Sequence, residues 1–477
     1  PYNIAGLVYK ANSVAGYYSG SVSSSIDIIN LAKYYFAATY DGVSSKLFAE
    51  GVLQREDNKT NTLQTTTQPL RFGGLQPNGA SDETTEGRIK SFFVSKITHS
   101  NDWILTEERN QLFPNSFAYP SGTHSAFVAA NWGRKQKITI NSAKVAGSGT
   151  YTDFAVQITK DHLDAEIIGR GANSALNGGG DIRFTSDEAG TTQLACEIVY
   201  FTTSEVASLQ GCEIWVKIPS LSTTVDTDIY IWYNKIGEAQ PAANSTYGSE
   251  AVWVNEEVVV HFANRKVENF SDSTGNHTLV PTGVLPRGTT DGMRFGSDGD
   301  SYFTIADTAS LDVTTELAIR VNATEINADS YQGLFTKPFG TGWNTPFRAY
   351  GLYINSGENL EGAVSSIGSR FNRPEGTTNL SVIGSHHLAY LFDQTSGGEL
   401  FVDAVNEATD TTIGTAENSS QDLVIGVRSA VSVSEGLNGR LKTIRFRTST
   451  VSTDWLTTEY NNERDAAAFA TAGTPED

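Results

Sequence analysis

Residues 214–234 read IWVKIPSLSTTVDTDIYIWYN, which is two short apolar runs on either side of a polar stretch. Short runs of alternating or continuous apolar character are typical of half-buried and fully buried strands. Comparable runs are KITIN (137–141), SYFTIA (301–306) and ELAIRV (316–321). The sequence therefore predicts an all-β protein of tandem antiparallel β-sandwiches, with polar turns between strands.

An internal repeat organises the chain, whose 477 residues are too many for one ordinary core. SNDWILTEERN (100–110) resembles STDWLTTEYNN (452–462), and Trp103 and Trp455 are 352 residues apart. EGRIKSFFVS (86–95) matches NGRLKTIRFR (438–447) with the same offset of 352. A constant offset over some sixty residues indicates two copies of one module.

The first copy corresponds only to the second half of the module. Pro1 aligns with Pro346, so residues 1–120 match the second half of the complete copy, residues 254–477. Half a sandwich leaves sheet edges unpaired and one apolar face open. We therefore expect the missing strands to come from an upstream segment or from another chain.

The complete copy contains six short stretches that point to one family. They are FSDSTGNHTLVPTG (270–283), GMRFGSDGDSYFTIA (292–306), ELAIRVNA (316–323), HHLAYLFD (386–393), GELFVDA (398–404) and NGRLKTIRFR (438–447). In this order they resemble a laminin-G/concanavalin A-like jelly roll, which implies two antiparallel sheets packed face to face. The S-x-D-W-x-x-T-E-x-x-N stretch predicts a short helix at the end of each such module, capped here by Ser452 or Thr453.

The middle of the chain resembles a different module. Its marks are NWGRKQKITIN (131–141), YTDFAVQIT (151–159), GGDIRFTSDEAGTTQLACEI (179–198), IWVKIPSLSTTVDTDIYIWYN (214–234) and AVW (251–253). They are similar, in order and spacing, to a domain of unknown function (DUF2341-like) that often precedes laminin-G-like modules in bacterial, archaeal and phage surface proteins. We therefore expect a linker at 121–131 and a second β-sandwich at 132–253.

Charge and hydropathy exclude two classes of partner. The formal net charge of −20 repels phosphate backbones, so nucleic acid is not expected as a partner. No apolar run approaches the ~20 residues needed to cross a bilayer. The family resemblances imply an extracellular place, at a cell surface, in a secreted filament or in a virion.

No catalytic pattern stands out. Glucanases on the related fold carry E-x-D-x-E on one strand, and that spacing does not occur here. SDETTEGR (81–88) is better interpreted as a solvated acidic turn. The positions of His386 and His387 are occupied by Tyr34 and Tyr35 in the first copy. The two histidines are therefore interpreted as strand residues on opposite faces of a sheet and not as metal ligands. The sequence therefore predicts a non-enzymatic protein.

Two cysteines, Cys196 and Cys212, lie symmetrically about Glu205 and its neighbours, where the sequence predicts a hairpin turn. Facing positions on antiparallel strands would allow a disulfide in an exported protein. The alternative is a pair of free, buried thiols, and the sequence does not decide between the two.

Calcium is one interpretation of the DSTGN loop. Many laminin-G-like modules bind Ca²⁺ through an acidic residue in this loop and an Asp on a late strand, and Asp272 and Asn276 fit the first element. Lys442 occupies the late-strand position, and an ammonium group repels a cation. A tight Asx-turn at Asp272 is the alternative.

A loop rich in aromatic residues, KPFGTGWNTPFRAY (337–350), is the candidate for carbohydrate binding. Aromatic faces stack on sugar rings, and amide or guanidinium groups bind hydroxyls. The candidate contact residues are Trp343, Asn344, Phe347, Arg348 and Tyr350. Packing against a neighbouring module or subunit is the alternative.

Two functional classes follow. The first is a non-catalytic structural or adhesive fibre or virion appendage, with copies of itself or neighbouring subunits as partners. The second is a lectin-like receptor-recognition module that binds cell-surface glycans. A chain that starts within a module favours the first class, while function on such folds depends on the site.

Overall fold

The structure is a computed structural model, and the residues it describes fall in two compact units, Pro1–Tyr119 and Pro120–Asp477. The described residues are 5–10, 13–18, 20–25, 36–41, 43–49, 52–58, 94–95, 98–101, 103–104, 106–107, 126–263, 271–283, 291–296, 301–327, 331–338, 348–366, 369–381, 384–428 and 435–477. None of the helices in these ranges has the length and apolar character required to span a bilayer.

The first unit contains two antiparallel three-stranded sheets. One consists of β1 (Ala5–Lys10), β2 (Ser13–Tyr18) and β3 (Gly20–Ser25), and the other of β4 (Phe36–Tyr40), β5 (Ser44–Ala49) and β6 (Val52–Asn58). Leu47 and Phe48 on β5 are fully buried. The described residues of 101–107 are helical.

The second unit begins with the middle module, residues 132–253. Its strands are β7 (Arg134–Ile140), β8 (Thr150–Tyr151), β9 (Phe154–Thr159), β10 (Arg183–Thr185), β11 (Gln193–Leu194), β12 (Cys196–Thr202), β13 (Gly211–Ile218), β14 (Leu221–Ser222) and β15 (Thr227–Tyr233). Helix α1 spans Ala165–Gly169, and 3₁₀ turns span Ala129–Asn131, Ser142–Lys144, Lys160–His162, Ala207–Leu209 and Glu250–Val252.

The C-terminal module, residues 254–477, continues the second unit. Its strands are β16 (Val258–His261), β17 (Leu279–Thr282), β18 (Met293–Phe295), β19 (Tyr302–Ile305), β20 (Glu316–Ile326), β21 (Gln332–Pro338), β22 (Arg348–Ile354), β23 (Leu360–Ser366), β24 (Ser369–Asn372), β25 (His386–Asp393), β26 (Gly397–Val402), β27 (Val405–Asp410), β28 (Leu423–Ile425), β29 (Gly439–Arg447) and β30 (Ala470–Glu476). Helix α2 spans Thr453–Arg464, α3 spans Ala466–Phe469, and a 3₁₀ turn spans Ala309–Leu311.

Two large antiparallel sheets form the C-terminal module. One has the order β16–β29–β20–β25–β26–β27, with β18 also paired to β29, and the other the order β17–β19–β28–β21–β22–β23–β24. Alternate residues of each strand point into the core between the sheets: Leu441, Ile444 and Phe446 on β29 are fully buried there, whereas Arg445 and Arg447 lie on the outer face. The predicted all-β architecture of packed antiparallel sheets is confirmed.

The middle module is a smaller sandwich. Its sheets have the orders β11–β10–β15–β7–β30 and β12–β13–β9. A core of buried aliphatic and aromatic side chains, which includes Phe154, Ile214 and Ile231, lies between them. The last strand of the chain, β30, therefore belongs to the sheet of the middle module, a pairing that the predicted boundary at residues 253 and 254 does not anticipate.

The repeat is visible in the backbone of both units. The sheet β4–β5–β6 matches β25–β26–β27, and each has a β-bulge at a Leu-Phe pair, between Leu47 and Phe48 and between Leu400 and Phe401. A bulge places an extra residue at a fixed point of one strand, so its recurrence fixes the register of the two copies. Whether other strands complete the first unit stays a prediction.

Candidate functional site

Helix α2 packs on the outer face of the sheet that contains β25. It starts at Ser452, whose Oγ accepts a hydrogen bond from the backbone N–H of Trp455 over 3.1 Å, as the sequence predicts. Leu456 is fully buried in a small cluster with Ala389 and Phe401 on that face. Because β25 has apolar residues on both faces, the helix covers a surface that would otherwise face water.

The opposite face of α2 contacts the middle module through polar side chains. Thr458 Oγ1 accepts from the backbone N–H of Ala146 over 3.0 Å, and Asn461 Nδ2 donates to the carbonyl of Lys144 over 2.9 Å. Asn462 is fully buried. It satisfies backbone groups at the edge of β9, which would otherwise lack partners.

Aromatic packing continues the same contact. The ring of Trp455 lies 5.2 Å from that of Tyr151 and 4.8 Å from that of Phe154, centre to centre. Tyr151 and Phe154 belong to the middle module, so the tryptophan of α2 extends the core of the other sandwich.

Strand β30 then completes a sheet of the middle module. It runs antiparallel to β7, with Ala470 opposite Ile140 and Ala472 opposite Ile138. Phe469 is fully buried in the core of the middle module. We name residues 452–476, which comprise the cap, α2, α3 and β30, the closing segment.

A set of buried charges lies beneath α2. Arg320 Nη1 and Arg445 Nη1 approach Glu459 Oε1 at 3.1 and 2.9 Å. Arg320 also pairs with Glu256, and Arg445 with Glu463. We name Arg320, Arg445, Arg447, Glu256, Glu459 and Glu463 the buried charge cluster.

The cluster continues towards the middle module through His261. Its Nε2 is 3.4 Å from Glu197 Oε2 and its Nδ1 is 3.1 Å from Glu213 Oε1, although neither contact has the alignment of a hydrogen bond. Trp215 and Trp253 enclose the imidazole, with ring centres 5.6 and 5.4 Å away. The guanidinium of Arg445 lies 4.7 Å from the centre of the Trp215 ring.

The charges hold one another ionised. Burial alone would raise the pKa of Glu459, but Arg320 and Arg445 outweigh it and lower that pKa to about 2. Burial likewise opposes the low pKa of Glu213, which His261 brings down to about 2. The pKa of His261 is raised because Glu197 and Glu213 outweigh its burial. Such paired and enclosed groups tie the modules together and are not available to solvent as acids or bases.

A small polar pocket opens beside the C-terminal half of α2, with a volume of about 90 Å³. Its lining residues are Asn322, Thr324, Ser385, His387, Lys442, Tyr460, Glu463 and Arg464. His387 is almost fully buried and His386 only partly so, and Nδ1 of His386 lies 2.9 Å from Asp403 Oδ2, which agrees with the prediction of opposite faces.

The predicted carbohydrate loop is only partly described. Trp343, Asn344 and Phe347 lie outside the described residues, and for Arg348 only the backbone, in β22, is described. The part of the prediction that concerns Tyr350 is wrong. Its ring is 1% exposed and stacks on Phe446 at 5.3 Å, and its hydroxyl donates to the carbonyl of Leu311 over 2.9 Å.

The DSTGN loop has the form of the predicted alternative, an Asx-turn. Asp272 Oδ1 accepts from the backbone N–H of Val259 over 2.8 Å and of Thr274 over 3.1 Å, and Oδ2 accepts from the N–H of His277 over 3.1 Å. Asn276 Nδ2 donates weakly to the carbonyl of Glu257 over 3.5 Å. A calcium ion at Asp272 would have to displace these donors. Calcium binding stays a prediction, and the described residues contain no group of three or more metal-binding side chains.

The disulfide prediction is wrong for this structure, since Cys196 and Cys212 are free and buried. The hairpin turns between Thr202 and Gly211, so that Cys196 faces Val216 and Cys212 faces Phe201. The two cysteines are thus about five residues out of register, roughly 16 Å at ~3.3 Å per residue, far beyond disulfide reach.

Sequence reasoning missed the docking role of the closing segment. The signal was present, because Trp455, Thr458, Glu459 and Asn462 are identical to Trp103, Thr106, Glu107 and Asn110 of the first copy. Exposed or polar helix positions that recur unchanged point to a contact outside the helix's own module. The sequence contained one indication of the pocket, which is Lys442 at the position where a calcium-binding module has Asp.

Comparison with known proteins adds little beyond the fold. No family model matches the sequence, and neither does any curated protein. The laminin-G-like and DUF2341-like resemblances therefore stay predictions.

Solved structures with a similar arrangement include three toxin binding domains. The binding domain of Paraclostridial Mosquitocidal Protein 1 shares 12% identity over 43% of this chain and 52% of that one, with a TM-score of 0.34. The botulinum neurotoxin serotype D ligand binding domain in complex with N-acetylneuraminic acid shares 9% identity over 44% and 51%, with a TM-score of 0.35.

The botulinum neurotoxin serotype G binding domain shares 7% identity over 43% of this chain and 50% of that one, with a TM-score of 0.35. The alignments thus span about half the length of those structures. A likeness of this degree carries no argument about the site, which rests on the contacts described above.

Proposed function

We propose that the chain is a non-catalytic segment of an extracellular structural or adhesive fibre, in which the middle and C-terminal modules act as one rigid unit. The observation that carries the proposal is the closing segment, which is anchored in the core of one sandwich and packed on the outer face of the other. Neighbouring domains move relative to each other by default unless a large buried interface joins them. Here a hinge motion would break backbone pairing and expose paired charges, so rigidity is expected.

Reuse of the closing segment supports a tandem arrangement. Aligned at the offset of 352, eight positions are identical in the two copies: Ser100, Asp102, Trp103, Thr106, Glu107, Asn110, Phe117 and Ala118 match Ser452, Asp454, Trp455, Thr458, Glu459, Asn462, Phe469 and Ala470. These include Trp455, Thr458, Asn462 and Phe469, which contact the middle module in the second copy, whereas Asn461 corresponds to Arg109. The set that docks one laminin-G-like module is thus present for the other.

Structural details of the first copy agree. The backbone N–H of Trp103 donates to Ser100 Oγ over 3.1 Å, the same cap and the same distance as at Trp455 and Ser452. Ile104, like Leu456, is buried. Trp103 is 42% exposed, whereas Trp455 packs against the middle module. We infer that residues 100–118 are a second docking element for a sandwich of the middle type.

Strand β30 brings two distant parts of the chain together at one edge of the middle module. Strand β30 is antiparallel to β7, with Glu476 opposite Lys135, and Arg134 forms an ion pair with Asp477. Residues 134–136 and 475–477 therefore lie side by side at one edge of the middle module.

The buried glutamates near the junction of the two modules are all engaged by partners. The carboxylates of Glu197, Glu213, Glu256, Glu459 and Glu463 are each engaged by a cation or a hydrogen-bond donor. A lectin-like recognition role is the second candidate, and one observation favours it, the polar pocket beside α2.

A segment graft tests the proposal. Residues 452–476 of the full chain are replaced by residues 100–124, and the graft is compared with an otherwise identical graft that carries Trp103→Ala. If the closing segment is a repeated docking element, the first graft melts cooperatively near the wild-type temperature and resists limited proteolysis after residue 452. The Trp103→Ala graft should melt lower, because it leaves a cavity beside Phe154.

A first graft that is digested as readily as an unfolded tail would overturn the proposal. Equal melting temperatures for the two grafts would show that Trp103 does not take the place of Trp455, so that the matching residues of the first copy have another role.

A further inference from the structure

The pocket beside α2 is positively charged within a strongly acidic protein. The ammonium of Lys442 lines the pocket and forms no ion pair within 4.0 Å among the described residues, and the guanidinium of Arg464 donates a hydrogen bond to Ser385 Oγ over 2.8 Å. The carboxylate in the lining, Glu463, is already bound by Arg445 and by Asn322 Nδ2, the latter over 3.0 Å. Lys442 contributes to the lowered pKa of Glu213, and Arg464 to that of Asp403, but neither cation forms a direct ion pair in the described part of the chain. Two cations therefore face the pocket without a directly bound carboxylate, although the chain as a whole carries a charge of −20.

A buried imidazole without a hydrogen bond lines the same pocket. His387 is 5% exposed, and its Nδ1 has no partner in the described part of the chain. Its ring packs edge-on against Tyr460 at 6.2 Å. Buried polar groups are nearly always paired with protein, water or a ligand, so a water molecule or a ligand group is expected at this nitrogen.

The pocket is not a by-product of helix docking. The docking residues of α2 recur in the first copy, but the pocket residues change: His387, Tyr460 and Arg464 correspond to Tyr35, Glu108 and Leu112. The matching stretch of the first copy thus has an acidic residue, Glu108, and an apolar residue, Leu112, in place of Tyr460 and Arg464. The lysine is retained in the first copy as Lys90, whereas the imidazole of His387, the hydroxyl of Tyr460 and the guanidinium of Arg464 occur in the C-terminal module alone and call for a separate explanation.

The volume of the pocket and the chemistry of its lining residues limit the kinds of group that can bind there. A volume of about 90 Å³ is large enough for a small charged group such as a carboxylate or a sulfate. A guanidinium binds the planar or tetrahedral oxygens of such a group with paired N–H bonds, and the lysine adds charge. The hydroxyls of Ser385 and Tyr460 can donate to the remaining oxygens.

We propose that this pocket binds a carboxylate or sulfate group at the end of a larger ligand, whose remainder stays outside on the exposed side of Arg464. The ligand is therefore an acidic molecule, such as a saccharide with one such substituent. The site rests on the residues around α2 and is independent of the proposed docking of the first copy.

Calorimetric titration of the full chain with sodium sulfate, sodium acetate and glucuronate tests the proposal. We expect saturable binding of at least one of them at millimolar concentration. Sulfate binding alone would identify a sulfate ester as the natural group, and binding of acetate or glucuronate a carboxylate. Arg464→Leu, which installs the residue of the first copy, should weaken binding at least about tenfold, the loss typical of a charged hydrogen bond.

Lys442→Met should weaken binding in the same direction, and Lys137→Met, which removes an exposed charge on β7, should leave it unchanged. Unaltered melting temperatures establish that the variants are folded, and Arg464 is exposed on the helix surface, so its loss is tolerated. Failure of all three anions to bind would overturn the proposal. Binding that is not weakened by Arg464→Leu or Lys442→Met would also overturn it, because the bound anion would then be an adventitious ion only.

Discussion

The side-chain oxygen of Asn462 accepts a hydrogen bond from the backbone N–H of Gln157 over 3.2 Å, although the two residues are 305 positions apart. Asn462 Nδ2 also reaches the carbonyl of Ala155 at 3.5 Å. One amide thus closes the edge of β9 in the way that a neighbouring strand would. The contact shows how a helix of one sandwich completes the other.

Replacement of Asn462 by Leu should lower the free energy of unfolding of the second unit by about 1–3 kcal/mol, because a buried backbone N–H loses its partner. Urea denaturation measures the change. The control is Thr457→Ala, whose hydroxyl bonds only within the helix, to the carbonyl of Thr453. That change should stay within about 0.5 kcal/mol. Equal effects of the two substitutions would contradict a role for Asn462 between the modules.

Replacement of Arg445 by Met should cost about 3–5 kcal/mol, because Glu459 and Glu463 then lose a buried counter-charge. Arg440→Met on the same strand is a matched control. Arg440 pairs with Glu325 at 2.8 Å near the surface, so its loss should cost at most about 1 kcal/mol. Adding Glu459→Gln to Arg445→Met should restore part of the loss. A double variant less stable than Arg445→Met would argue against the pairing.

Acid should weaken the junction between the modules in a defined pH range. The pKa of Glu459 is lowered from 4.5 to about 2, since Arg320 and Arg445 outweigh the opposing effect of burial. A lowered pKa contributes stability that is fully present above about pH 4.5 and is lost as the pH falls towards 2. Glu459→Gln should therefore flatten the pH dependence of the unfolding free energy in this range. A slope equal to that of the wild type would exclude Glu459 as a source of acid sensitivity.

Both thiols should be inert in the folded protein. Burial raises the pKa of Cys196 to about 12 and that of Cys212 further still, so little reactive thiolate forms at neutral pH. A thiol reagent should label neither cysteine in the native protein and both after denaturation without a reducing agent. A mass two hydrogens below that of the reduced chain would instead reveal the disulfide that the register of β12 and β13 excludes.

Fold class and the helix at the end of the C-terminal module could be predicted because both depend on local signals. Alternation within strands indicates burial, and Ser452 with Asp454 indicates a helix start. The disulfide could not be assigned from symmetry, because a bulge near Val199 and a turn centred beyond Glu205 shift the register. Tyr350 was assigned to a loop, although it alternates with Leu352 and Ile354, which is the pattern of a strand facing the core.

Docking between modules was harder to predict because its partners are far apart in sequence. Residues Asn462 and Gln157, or Ala470 and Ile140, meet only after both sandwiches have formed. The identity of the two copies at Thr458 and Asn462 contained part of this information. It showed that these positions matter, but not which backbone they contact.

Amide hydrogen exchange at residues 470–472 shows whether β30 is a strand of the middle module. The backbone of Ala470, Thr471 and Ala472 pairs with Ile140, Thr139 and Ile138. We expect peptides covering this segment to exchange as slowly as those covering β7, and Asn462→Leu to accelerate both. Exchange of residues 470–472 at the rate of an unstructured tail, with β7 still protected, would contradict this expectation.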